Sequence, residues 1–153
     1  MQFFEYQVLK AKNLLCCTTQ LVPENLAADL REIGNLLESN SVSKLDTTLY
    51  LIICDFGNPN ITLNISTKKG ITNVRDPFWL KEKIHLIQAV RTRHEGDLFE
   101  LWGSISQAKK YLCAHNLPPI TPYYCKVLVG LETPEDTQSI IMDIYVGVNC
   151  NVL

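Results

Sequence analysis

Long apolar runs are missing from this chain. No stretch of about 18 apolar residues occurs among its 153, so no helix is expected to cross a membrane. The opening residues, Met1-Gln2-Phe3-Phe4-Glu5-Tyr6, have neither the basic flank nor the apolar core of a secretory leader, which points to the cytoplasm. A surplus of one charge is missing too. Fourteen Lys and Arg against sixteen Asp and Glu leave a formal net charge of −2, without the basic footprint that direct nucleic-acid binding needs. Histidine is scarce. His85, His94 and His115 form no H-x-x-x-H spacing and the cysteines form no C-x-x-C pair, so no metal site is expected. G-x-G-x-x-G, P-loop and G-x-S-x-G patterns are absent, so neither a cofactor nor a catalytic residue is assigned.

What is present describes an ordinary globular domain. Hydrophobic residues make up 46% and charged residues 20%. A single domain spanning 1–153 can bury enough surface for a core without covalent staples. The six cysteines, Cys16, Cys17, Cys54, Cys113, Cys125 and Cys150, allow a disulfide framework on their even number alone. In a chain this long without a leader, they read instead as small buried hydrophobes. Asn60-Ile61-Thr62 and Asn64-Ile65-Ser66 match glycosylation acceptors, but a cytoplasmic strand makes these chance matches.

Two segments have helical periodicity. Leu26, Leu30, Ile33 and Leu37 share one helical face behind Pro23, and Asn40 ends that segment. Leu98, Leu101, Trp102, Ile105, Ala108 and Leu112 form a second stripe. Asp97 and Glu100 sit at its start in a capping-box arrangement, and Pro118-Pro119 stop it. The other segments alternate or run apolar as strands do: 3–19, 49–54, 61–66, 83–92, 123–129 and 140–148. Turns fall at 57–60 and 133–136. The order strand, helix, strand, strand therefore occurs twice, over about 1–67 and 78–153, with a polar linker at 68–77. The fold class is α+β. One mainly antiparallel, curved sheet should carry both helices on one face, because neither half alone can cover its apolar side.

Two runs carry a family resemblance. Arg93-His94-Glu95-Gly96-Asp97-Leu98-Phe99-Glu100-Leu101 resembles the entry to the second helix in the GyrI-like effector-binding superfamily, and Asp143-Ile144-Tyr145-Val146-Gly147-Val148 is similar to its final strand. By order of elements the resemblance covers nearly the whole chain. It implies a duplicated domain with a small-molecule groove on the open sheet face between the repeats, in a stand-alone form like those of Gram-positive bacteria. Members serve as effector domains of regulators, as binders of DNA gyrase, or as hydrolases. Ligand-binding members place a glutamate in the strand after the second helix. This chain reads Tyr123-Tyr124-Cys125-Lys126-Val127 there, so neither a lipophilic cation nor a hydrolysis that needs that carboxylate is implied.

Strand alternation puts Asp143 and Tyr145 on one face, and Tyr124 and Lys126 likewise on one face. With Tyr50, the first-half counterpart of Tyr124, these five are the candidate ligand-binding residues, offering aromatic walls and a few polar groups. The plain alternative is an ordinary Lys126–Asp143 cross-strand pair on a wet face. Trp79 is read as a linker anchor or a lid, and Trp102 as core. His94 beside Glu95 is a general-base pair or a strand-end pair. The expected partner is a small molecule bound without catalysis. The alternative is an adaptor or inhibitor that binds a protein through the same groove or a sheet edge. Neither assigns an oligomeric state.

Overall fold

The computed structural model describes residues 1–42, 47–68, 71, 72, 74–131, 133 and 135–149, with 47–50 described by backbone alone. The elements run β1 (Phe4–Gln20), α1 (Pro23–Ser39), β2 (Thr47–Cys54), β3 (Asn60–Thr67), β4 (Trp79–Gly96), α2 (Leu101–Ala114), β5 (Pro119–Val129) and β6 (Ile140–Val148). The fold is α+β, with two helices and one six-stranded antiparallel sheet, as the periodicity implies.

The two helical stripes are the buried ones. α1 buries Leu26, Leu30, Ile33 and Leu37, and α2 buries Leu101, Ile105, Ala108 and Leu112. Burying each Leu or Ile contributes about 1.5–3 kcal/mol relative to exposing it. The two sets match at a constant separation of 75 residues, Leu26 with Leu101 through to Leu37 with Leu112. The helix ends match at the same separation. The Val42 amide donates to the Leu37 carbonyl and the Leu117 amide to the Leu112 carbonyl, both at 2.9 Å. Ser41 and Asn116, also 75 apart, both take the left-handed conformation that ends many helices.

Round the sheet the order is β1-β3-β2-β5-β6-β4, with β1 also paired to β4, so the sheet closes into a barrel. The first strands of the two halves thus meet, as do β2 and β5. Each half contributes a matching β1-β3-β2 or β4-β6-β5 sector. β1 and β4, with 17 and 18 residues, are the long strands that reach far enough to seal it. One apolar cluster joins both helices to Leu15, Ile52, Leu63, Cys125, Met142 and Ile144. A second fills the other face with Leu9, Leu14, Leu51, Ile84, Leu86 and Tyr145. The face expected to be an open groove is therefore a filled interior. Sequence alternation cannot report this, because closure depends on pairing between distant strands.

Local details differ from the sequence expectation. Asp97 caps a single 3-10 turn, Leu98–Glu100, accepting from the Phe99 amide at 2.8 Å, and α2 begins one residue after that turn. Trp102 is only partly buried. Trp79 lies within β4 opposite Cys16 and is 41% exposed, while its neighbour Phe78 packs on the core, so Phe78 is the anchor. Among the described residues, Cys16, Cys17, Cys54 and Cys125 are buried free thiols and Cys113 is an exposed one. Cys150 lies outside the described residues.

Candidate functional site

Three adjacent strands place charged and aromatic residues in two short rows. Arg93 on β4 lies directly opposite Asp143 on β6, which lies opposite Lys126 on β5. In the next row Arg91 faces Tyr145, which faces Tyr124. Tyr145 and Tyr124 belong to the interior cluster, and their alternating neighbours Met142, Ile144 and Cys125 belong to the helical one. Both rows therefore lie on the inner face.

Asp143 is the electrostatic centre. It is 5% exposed. Its Oδ1 accepts from Arg93 Nε at 2.9 Å and its Oδ2 from Arg91 Nη1 at 3.3 Å. That hydrogen bond, with the carboxylate charge, raises the Arg93 pKa and keeps its guanidinium charged. Lys126 makes no ion pair among the described residues, so the expected Lys126–Asp143 pair is replaced by two arginine contacts. Geometry explains the exchange: an arginine fork presents several donors to one carboxylate, whereas a lysine offers a single point charge. Arg91 also lies over the Phe4 ring, 4.7 Å from its centroid, and its Nε is buried without a partner among the described residues.

These groups form one wall of a cavity of about 640 Å³ lined by Met1, Gln2, Phe4, Arg91, Arg93 and Asp143, among others. Of the five candidate residues, Asp143 alone lines it. Lys126 lines a separate notch of about 310 Å³. Tyr124 and Tyr145 line neither hollow and pack in the interior cluster, and burial pushes both phenols up. Tyr50 pairs with Val127 and Ile65 by its backbone, and its side chain lies outside the described residues. Sequence reasoning missed Arg91 and Arg93. The Arg-Thr-Arg spacing on one strand was the available cue.

The His94–Glu95 pair does not form. Glu95 lines the cavity, while His94 is buried beneath α2, bonded to Ser104 Oγ and the Asp97 carbonyl. A third hollow of about 680 Å³ lies outside the barrel, between the α2 C-terminus and the start of β5, and is largely apolar.

No family model matches the chain, and neither does any curated protein sequence. Solved structures do match. The EcmrR C-terminal domain superposes with a TM-score of 0.66 at 12% identity, covering 94% of this chain and 98% of that one. The fold is GyrI-like. A hydrolase from Listeria innocua superposes with a TM-score of 0.56 at 8% identity, covering 97% of this chain and 90% of that one.

Proposed function

We propose that this GyrI-like domain is a non-catalytic binding module that takes a small molecule in the cavity walled by β4, β6 and the start of the chain. Asp143 forms its wall with Arg91 and Arg93; of the other sequence candidates, Tyr124 and Tyr145 share its sheet face, Lys126 lines the separate notch, and the Tyr50 side chain lies outside the described residues. The observation that carries the reading is Asp143, a buried carboxylate held by two arginines at the wall of a cavity large enough for a metabolite. Because Asp143 is already neutralised, the site favours a neutral or anionic ligand over a cation. Free buried thiols fit a reducing cytoplasm as its place of action.

Hydrolysis is not part of the reading. Asp143 is engaged by Arg91 and Arg93, and His94 is occupied beneath a helix. The adaptor alternative is weakened at the sheet edge. The stretch of β1 that pairs with β4 alone carries Lys10, Lys12 and left-handed kinks at Tyr6 and Asn13, which are devices that discourage strand addition.

Native mass spectrometry of the protein from its own cells tests the proposal. A bound small molecule that disappears in Asp143→Asn and Tyr145→Phe supports it. An empty protein with a stoichiometric protein partner would replace it with the adaptor reading.

A further inference from the structure

We propose that Lys10, Lys12, Lys68 and Lys126 form a site for a phosphate-bearing small molecule. The site is separate from the arginine-lined cavity proposed above.

Strand pairing creates the place. β1 pairs with β3 only as far as the Leu14–Ser66 pair, and its earlier residues pair with β4 alone. A notch of about 310 Å³ opens where β1 leaves β3, lined by the four lysines with Ser66 and Thr67. It is at the small end of the ligand-pocket range, suited to a compact anion. The Ser66 hydroxyl donates to the Lys12 carbonyl at 2.6 Å, which ties the end of β3 to β1 and fixes the shape of the notch.

Charge supplies the second argument. No carboxylate lines the notch, and none of the four lysines makes an ion pair among the described residues. Lys12 also lies directly across from Lys83, a like-charge juxtaposition that costs stability in an antiparallel pair. Among the described residues, no acidic side chain lines the notch. An anion bound among the lysines relieves that repulsion.

The residue type selects the anion. Lysine is a compact point charge that serves phosphate oxygens from several directions, while paired recognition of a planar carboxylate is the geometry of arginine. The chain uses arginine for its own carboxylate at Asp143 and lysine alone in the notch.

Isothermal titration calorimetry at low salt tests the site, with inorganic pyrophosphate as the probe and citrate as a carboxylate of comparable charge. Pyrophosphate is expected to bind saturably at one per chain. It should weaken by about tenfold or more in the Lys12→Gln/Lys68→Gln double variant, a loss of about 1.4 kcal/mol. Lys12→Arg should retain most of the affinity, since it keeps the charge. Without ligand, Lys12→Gln should melt at a higher temperature than the parent, because a repulsive pair is removed; the same melt checks its fold. Absence of saturable pyrophosphate binding, or equal affinity in the double variant, overturns the site. Equal binding of citrate overturns its assignment to phosphate.

Discussion

The Ser104 hydroxyl donates to Nδ1 of His94 at 2.7 Å, and Nε2 of the same ring donates to the Asp97 carbonyl at 2.8 Å. A carbonyl can only accept, so Nε2 carries the proton and Nδ1 is the acceptor. The pair has the composition of a hydrolytic dyad, but His94 is 3% exposed and bolts α2 to β4. Ser104→Ala should therefore cost about 1 kcal/mol in chemical denaturation, the worth of one hydrogen bond. A serine-directed organophosphate should leave the parent protein unlabelled.

Asp143 is expected to matter for stability as well as for binding. Asp143→Ala leaves two arginines without their shared acceptor in a partly buried place. A loss of about 2 kcal/mol follows, measured by urea denaturation. Arg93→Ala should cost less, since its side chain is 48% exposed and Arg91 continues to hold the carboxylate.

The thiols should divide sharply by reactivity. Burial pushes Cys16 up to about 11 and Cys17 up to about 12, from 9.0, and thiolate is the reacting form. Iodoacetamide at pH 8 should modify Cys113 in the native protein and reach Cys16 and Cys17 only after unfolding. The same shifts fix a pH dependence. The folded state holds these protons more tightly than the unfolded state, so the stabilisation is complete below about 9. It declines as pH rises and is lost through about 11 and 12. The raised phenols of Tyr123, Tyr124 and Tyr145 act in the same direction. Denaturation midpoints should fall steadily above pH 9.

Leu37 and Leu112 occupy matching places, buried in the last turn of each helix with the same amide closing on each carbonyl. Leu37→Ala and Leu112→Ala should each cost about 2–5 kcal/mol, as core truncations do. Thermal or urea unfolding of the two variants should give losses of similar size.

The helices were legible because a buried stripe on a helix is a local pattern: spacings of three and four name Leu26, Leu30, Ile33 and Leu37 outright. The residue-level alignment of the halves was less so. Identity between the halves is too sparse to mark Leu37 as the buried equivalent of Leu112. The inward direction of Asp143 and Tyr145 could be read because β6 alternates without interruption. β4 could not be read in this way. Gln88 takes a left-handed conformation in mid-strand, near the point where its register with β1 shifts, so counting from Ile84 does not reveal where Arg91 points. The identity of the Asp143 partners was hidden for that reason, and barrel closure was hidden because no local pattern encodes it.

The seam between β1 and β4 also governs how the chain reaches its native state. Leu9 has to find Leu86, and Leu15 has to find Leu80, across most of the first half of the chain. Contacts so distant in sequence charge their loop-closure entropy before returning any burial, and such topologies fold on the millisecond-to-second scale rather than in microseconds. During synthesis β1 emerges before β4, and the stretch of β1 that pairs with β4 alone stays unpaired until the second half arrives. The strand that completes the barrel is therefore also the one most in need of a chaperone.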